Sequence, residues 1–272
     1  MPRTRKTMSK PFFSIVVVSY NAQDYISATI ESALSQDFTD FEIIVKDACS
    51  KDETLARIPS DERIQVYSTK DSGIYDGMNE AIAYAKGRFI HFLNCGDSFF
   101  DEKVISRIYE TAKSLEEEGS ILYGDYSRRG IFCKQPSQMS DSYLFRTTLN
   151  HQSMFFERVL FEKFGNYDLK YTICADYDFT LRAFRAGVPF VYCPGIVCSY
   201  LGGGVSETKE GDIKRLNQNR DIISKYFSKK EIRKYKIKFF FTFKRLRQFL
   251  YSDKRPAWIR NIYRKFVNRA NG

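Results

Sequence analysis

Carboxylate side chains recur where apolar runs of this sequence end. Asp47 follows the run FEIIV, and Asp97 follows the run FIHFL, while Asp71 and Asp76 lie between them. An isolated Asp after a strand is more often a helix cap or a turn residue than a ligand. Several such ends in succession instead indicate one ligand-binding edge of an open α/β sheet. Carboxylates at that edge suit a divalent cation held beside an anionic ligand.

The elements that would position these acids alternate between two periodicities. Apolar runs at 12–19, 41–45, 64–67 and 89–93 predict strands, and helical spacing predicts helices between them. This alternation favours a doubly wound, mostly parallel α/β sheet. We expect Asp76 to cap the helix that follows it and Gly87 to end that helix.

Positive charge is concentrated late in the chain. The 272 residues have a formal net charge of +10, and residues 225–272 hold 16 Lys or Arg against two acids. The main body is therefore mildly acidic, which argues against nucleic acid as its partner. We divide the chain into a basic N-terminal tail (1–10), an α/β domain (11–206) and a basic α-helical C-terminal extension (207–272).

Several motifs occur in a distinctive order. They are SIVVVSYN, D-x-x-S-x-D-x-T from Asp47, DSGIYDGMNEAIAYAKG, LNCGDS, YGD, HQSMFF, ADYDFTLR and LGGGVS. In these motifs residues 14–206 resemble the family 2 glycosyltransferases of GT-A fold, and among them the bacterial enzymes of O-antigen and capsule assembly. The resemblance implies inverting transfer of a sugar from a UDP-linked nucleotide-diphospho-sugar to a saccharide or lipid-linked saccharide acceptor.

The resemblance also implies a donor site. Asp47 is similar to the carboxylate that recognises the base, although a helix cap is an equally good interpretation of Ser50 and Asp52. The expected nucleotide-sugar-binding residues are Ser19, Tyr20, Asn21, Asp47, Ser50, Asp52, Asp71, Asp76, Asn79, Asn94 and Gly96.

Asp97 matches the last acid of the family's metal motif, which implies Mn²⁺ or Mg²⁺ as cofactor. The family often has two adjacent acids there, whereas this chain has Gly96 before Asp97. One acid suffices when diphosphate oxygens and waters complete the coordination, so we expect weak binding of free metal.

Asp176 resembles the family's catalytic base. The preceding residue is Ala175 instead of an acid, so Asp178 is a second candidate for the base. Asp178 could alternatively pair with Arg182, one helical turn later. His151 and Gln152 are interpreted either as acceptor or diphosphate contacts or as structural hydrogen-bonding residues.

Two other functional classes share some of these sequence features. A sugar nucleotidyltransferase would share the sheet and the cation, but SIVVVSYNAQ lacks the expected Gly- and Lys-rich phosphate loop. A non-catalytic nucleic-acid-binding module would use the basic and aromatic tail, yet an acidic rim would repel phosphate. We therefore expect no nucleic-acid partner.

The tail suggests a membrane surface. No secretory signal or membrane-spanning run is recognisable, and the tail mixes Phe-rich and basic residues up to a second block around Trp258. These features predict a cytoplasmic protein bound peripherally to the anionic inner face of the plasma membrane. The alternative is that the aromatic residues pack on the main domain.

Overall fold

The computed structural model describes residues 10–116, 118–202 and 208–242. The strands within these ranges are Phe13–Ser19 (β1), Phe41–Asp47 (β2), Ile64–Ser68 (β3), Phe89–Phe92 (β4), Ser98–Phe99 (β5), Ile121–Arg128 (β6), Ile131–Cys133 (β7), Met154–Glu157 (β8) and Phe190–Tyr200 (β9). The α-helices are Ile26–Leu34 (α1), Ile74–Tyr84 (α2), Val104–Ala112 (α3), Asp141–Arg146 (α4), Val159–Phe164 (α5), Ala175–Arg185 (α6), Lys209–Tyr226 (α7) and Lys229–Thr242 (α8). Short 3₁₀ turns cover Leu55–Arg57 and His151–Ser153.

The strands form one mixed sheet in the order β3-β2-β1-β4-β8-β6-β9-β5, with β7 paired to β6. The first half, β3-β2-β1-β4, is parallel, as the alternation of strands and helices predicts. β8 runs antiparallel to both β4 and β6, while β6 and β9 are parallel to each other. The α/β fold class is thus confirmed. The reversal of β8 brings the turn before it to the edge where β4 ends.

Helices cover both faces of the sheet, so its central strands are buried on both sides. All seven residues of β1 are buried, and alternate residues belong to different apolar clusters. Val16 and Val18 face the cluster that includes α2 and α6, whereas Ile15 and Val17 face α1 and α3. This two-sided burial explains why β1 reads as a continuous apolar run.

The start and end of α2 differ from the prediction. Gly73 precedes the helix at φ +142°, and Asp76 lies in the first turn, so Asp76 is not the cap. Its carboxylate accepts hydrogen bonds from the Ser72 N–H (2.8 Å) and hydroxyl (2.7 Å) instead. The helix ends at Tyr84, before Gly87. A Cβ at Gly87 would lie 2.5 Å from the backbone nitrogen of Ser14, so glycine is needed there for close approach to β1.

The two C-terminal helices pack on the α/β domain. Ile222 is fully buried, and Phe227 and Tyr235 are nearly so, in the same cluster as α6. Phe145 of α4 contacts the rings of Phe227 and Tyr235 at centroid distances of 5.4 and 5.1 Å. In this region the aromatic residues therefore pack on the domain, the alternative that the sequence left open.

Some predictions fall on residues that the structure does not describe. These are the motif LGGGVS from Gly203 onward and the tail beyond Thr242, including the block around Trp258. Among the described helices, none combines the length and the apolar character that crossing a bilayer requires.

Candidate active site

The carboxyl ends of β1 and β2 meet at Asp47. Its carboxylate is buried and accepts hydrogen bonds from the hydroxyls of Ser19 (3.0 Å) and Ser68 (3.0 Å). Ser50 donates both its N–H, at 2.8 Å, and its hydroxyl. Burial raises the Asp47 pKa, but these hydrogen bonds outweigh it and hold the pKa below its ordinary value. Asp47 is therefore a fixed anion at the sheet edge.

The loops that follow β1 and β2, beside Asp47, are joined by hydrogen bonds. Asn21, at φ +47°, donates its N–H to the Ser50 hydroxyl (2.8 Å) and accepts from the Lys51 N–H (3.0 Å). Asp52 accepts from the N–H groups of Gln23 (3.2 Å) and Thr54 (3.1 Å). Ser50 and Asp52 thus join the two loops; the short turn that follows has Thr54 as its N-cap without a side-chain cap hydrogen bond, so neither residue is the predicted helix cap. Their contact with the donor stays a prediction, and Tyr20 beside them is 60% exposed.

A buried lysine supports the loop before α2. Lys46, the last residue before Asp47, is fully buried, and its Nζ lies 2.9 Å from Asp71 Oδ2 and 3.4 Å from Glu80. Gly77 makes room for Asp71, since a Cβ there would lie 2.9 Å from its Oδ2. Sequence reasoning missed Lys46, although a lysine inside an apolar strand run is itself a signal.

Asn79 on α2 binds the backbone of a neighbouring loop. Its amide exchanges two hydrogen bonds with the backbone of Tyr167, at 2.9 and 3.0 Å, and so joins α2 to the loop after α5. The Asn79 amide is thus engaged in a contact between elements, and its role in donor binding stays a prediction.

The loop after β4 places Asp97 deep in the edge. Gly96, at φ +96°, donates its N–H to the Thr29 hydroxyl (3.0 Å), and the Asp97 carbonyl accepts from that hydroxyl (2.9 Å). Asp97 is only 5% exposed, and Gln152 Nε2 donates to its Oδ2 at 3.0 Å. Burial raises the Asp97 pKa to about 6, against the opposing effects of Gln152 and His151. Asp97 is thus the buried acid that a cation would keep ionised.

Asp176 lies in the first turn of α6 and contacts two polar side chains. Tyr75 donates to its Oδ1 at 2.8 Å, and His151 Nδ1 lies 3.5 Å from its Oδ2. Asn94 Nδ2 lies 3.0 Å from His151 Nε2, so Asn94 holds the side of the imidazole ring that faces away from Asp176. Burial, together with Asp176, holds the Tyr75 pKa well above its ordinary value, so Tyr75 remains a donor.

Asp178, the second candidate base, lies away from this group. It is fully buried, and its oxygens accept from Arg182 (2.6 Å), Lys225 (2.9 Å) and Tyr226 (3.0 Å). This is the Arg182 pairing that the sequence allowed, with two further partners from α7. Asp178 therefore joins helices, whereas Asp176 faces the sheet edge.

The edge offers few protein ligands for a metal. Among the residues that the structure describes, no three His, Cys, Asp or Glu side chains are grouped as a metal site. Asp97 is the predicted metal ligand at this edge, and the neighbouring Asn94 Oδ1 is buried without a hydrogen-bond partner in the described part. This set fits a cation whose other ligands come from a bound diphosphate and water.

Comparisons with known proteins agree with this architecture. The family described as "Glycosyl transferase family 2" matches residues 14–188. A "PGL/p-HBAD biosynthesis glycosyltransferase" of Mycobacterium bovis is 32% identical over 209 residues, covering 74% of this chain and 81% of the relative.

Solved structures share the fold. TarS of S. aureus (residues 1–349) aligns with a TM-score of 0.62 and 18% identity, over 95% of this chain and 82% of that chain. TarS has also been solved with UDP and with UDP-GlcNAc. The mannosyltransferase PcManGT of Pyrobaculum calidifontis, in complex with GDP-Man and Mn²⁺, aligns with a TM-score of 0.62 and 16% identity, over 80% of this chain and 64% of its own.

The ordered motifs, the α/β sheet and a family match over more than half of the chain lead to one assignment. The protein belongs to glycosyl transferase family 2, with a GT-A fold.

Proposed function

We propose that this glycosyltransferase moves a sugar, with inversion, from a UDP-linked nucleotide-diphospho-sugar to a lipid-linked saccharide in cell-surface polysaccharide assembly. The UDP and UDP-GlcNAc complexes of TarS support the donor class, and the Mn²⁺ complex of PcManGT supports a divalent metal. Asp47, fixed as an anion beside Ser19 and the Asn21 loop, would recognise the base.

The observation that carries this proposal is the short turn at His151 and Gln152, which contacts both Asp176 and Asp97. His151 and Gln152 are adjacent, yet His151 faces Asp176 at 3.5 Å and Gln152 donates to Asp97 at 3.0 Å. Asp97, the proposed donor-side acid, and Asp176, the proposed acceptor-side acid, thus contact neighbouring residues of one short segment. Inverting transfer needs acids on both sides of the sugar, because the acceptor attacks opposite the departing phosphate.

Asp97 would hold a divalent metal, Mn²⁺ or Mg²⁺, together with the donor diphosphate. When bound, the metal neutralises charge on the leaving nucleotide. Asp71 before α2, Asp76 in its first turn and Gly96 in the loop after β4 would shape the diphosphate pocket. Asn94 Oδ1, buried without a hydrogen-bond partner in the described part, is suited to accept a hydrogen bond from a sugar hydroxyl.

Asp176 would act as the general base. It takes the proton of the acceptor hydroxyl as the acceptor oxygen bonds to the anomeric carbon, and the bond from that carbon to phosphate breaks. The electron pair of the broken bond leaves with the nucleoside diphosphate. Tyr75 and His151 would hold the carboxylate in place, since each contacts one of its two oxygens.

A membrane location is proposed from the outer face of α8. Over residues 229–240, the part of α8 whose side chains are described, the exposed residues are basic apart from two apolar ones, Ile237 (42% exposed) and Phe240 (59% exposed). The exposed basic residues are Lys229, Lys230, Arg233, Lys234 and Lys236. This mixture suits peripheral binding to an anionic cytoplasmic leaflet, where a lipid-linked acceptor would be found.

The catalytic assignment is tested by replacing each of the two candidate bases in a separate variant. Screening UDP- and GDP-sugars for Mn²⁺-dependent thermal shifts first identifies a usable donor. Asp176→Asn should then bind this donor as the wild type does, while release of nucleoside diphosphate falls by roughly 10²–10⁴, the range for a lost general base. Asp178→Asn should mainly destabilise the fold, because Arg182 and Lys225 lose their partner. The opposite pattern would reverse the assignment.

A further inference from the structure

The start of α6 is held by a residue from the C-terminal extension. Cys174 precedes the helix, and no side-chain hydrogen bond caps this position from within the segment. Instead, Gln218 Oε1 on α7 accepts hydrogen bonds from the N–H groups of Ile173 and Cys174, both at 3.1 Å. Gln218 Nε2 also lies 3.1 Å from the Thr172 hydroxyl. One amide thus satisfies three groups of the segment that leads into Asp176.

The same helix holds α6 on the other side of Asp176. Lys225 and Tyr226, at the end of α7, both donate to the buried carboxylate of Asp178. Burial lowers the Lys225 pKa, but the hydrogen bond and charge of Asp178 outweigh it and the pKa is raised. Ile222 lies between these contact points in the sequence and is fully buried. Asp176 is therefore bracketed by two contacts with α7.

These contacts bear directly on the carboxylate. The Tyr75 hydroxyl that donates to Asp176 also lies 2.9 Å from the carbonyl oxygen of Ile173, whose own N–H is bound by Gln218. A shift of the 172–174 segment would therefore move Asp176 relative to Tyr75 and His151. A displacement of about 1 Å in a reacting group can cost about a hundredfold in rate.

We propose that Gln218 is a positioning residue for Asp176, so that α7 is part of the catalytic unit instead of an appendage. This proposal rests on the role of Asp176 as the base under the proposed function. Gln218 contacts neither donor nor acceptor and acts through the backbone before α6.

The test compares full-length variants by the release of nucleoside diphosphate from UDP-GlcNAc or GDP-Man, whichever gives the Mn²⁺-dependent thermal shift. Gln218→Met keeps a similar side-chain size but removes all three hydrogen bonds. It should lower kcat by about 10- to 100-fold, with the KM for the donor changed by less than about twofold because the donor edge is untouched. Gln218→Glu still accepts both N–H groups and should stay within about threefold of the wild-type kcat.

Asp221→Asn is the matched control on α7. Asp221 binds Lys170 (2.8 Å) and the Tyr171 hydroxyl (2.7 Å), so this variant loosens the same helix without touching Gln218. Its kcat should remain near that of the wild type. An equal loss of kcat in Asp221→Asn, or wild-type kcat in Gln218→Met, would overturn the positioning role.

Further variants separate the possible failures. If Asp176→Asn keeps wild-type turnover, the proposed base is wrong and the positioning role falls with it. If Asp176→Asn is inactive and Gln218→Met is fully active, only the positioning role is wrong. Should Gln218→Met not fold, Gln218→Asn retains a polar amide that is too short to reach both N–H groups. It should show the same loss of kcat, and unchanged kcat would again refute the role.

Discussion

Asp97 combines deep burial with a charge that the proposed reaction needs. Its side chain is 5% exposed, and burial raises its pKa to about 6 from an ordinary value of 3.8. Folding without a bound cation therefore favours the protonated carboxyl. The stability that this group contributes is full below about pH 4 and is lost as pH rises through about 6.

Asp97→Asn should therefore separate stability from activity. Because asparagine mimics the protonated acid, the variant should melt a few degrees higher than the wild type at pH 7.5, with an upper limit of about 3 kcal/mol at ~1.4 kcal/mol per pKa unit. The difference should narrow as pH falls to 4.5. Differential scanning fluorimetry across this range measures the effect.

The same Asp97→Asn variant should lose turnover, and its donor affinity should weaken only when metal is present. Wild-type rates across a Mn²⁺ titration would contradict the metal role. A lower melting temperature at pH 7.5 would contradict the stability argument.

At the scale of elements, the sequence predicted the strands that have a clear local apolar pattern. The runs that became β1, β2 and β4 were recognisable because strands covered on both faces are continuously apolar. The antiparallel direction of β8 was not predictable, because pairing depends on contacts distant in sequence. For the same reason Asp178 could be paired with Arg182 at i+4, but not with Lys225, 47 residues away. His151 was singled out, whereas its contact with Asp176 required the fold.

The ion pairs that Lys46 of β2 makes with Asp71 and Glu80 give a prediction at this scale. Lys46→Met removes the cation between Asp71 and Glu80 and keeps an apolar stem in the buried space. The loop carrying Asp71 should then lose its fixed position, and the KM for the donor should rise by about tenfold, equivalent to ~1.4 kcal/mol, with a smaller effect on kcat.

Lys86→Met is the control for this prediction. Lys86 donates to Gln65 at 3.3 Å in an exposed setting, and its loss should leave the KM unchanged. Steady-state kinetics of both variants decide the matter, and equal KM values for Lys46→Met and the wild type would contradict the role of Lys46.

At the scale of the molecule, a mildly acidic body carries a basic end. The exposed basic residues of α8 belong to this end and lie within the described structure. The membrane prediction can therefore be tested by substitutions on α8, whereas deleting the basic end from Lys225 would also remove Lys225 and Tyr226, which bind Asp178. Full-length protein should sediment with phosphatidylserine-containing vesicles at low salt and be released at high salt.

Charge reversal on α8 should weaken that sedimentation. Lys230→Glu, Arg233→Glu and Lys236→Glu together should lower vesicle affinity at least tenfold, since each cation near an anionic leaflet contributes about 1 kcal/mol. Reversing Lys103, Lys113 and Lys163, exposed elsewhere, is the control. Equal loss in both sets would indicate nonspecific attraction, and full-length protein that never sediments would refute the membrane proposal.

The contact of Gln218 with the segment before α6 also has a consequence for the synthesis of the protein on the ribosome. A ribosome adds Asp176 about 42 residues before it adds Gln218, which at 5–20 residues per second is an interval of roughly 2–8 s. During this interval the nascent chain contains the proposed base, but not the Gln218 amide that binds the segment before α6. Under the positioning role proposed for Gln218, we expect full activity only after α7 has been synthesised and has docked.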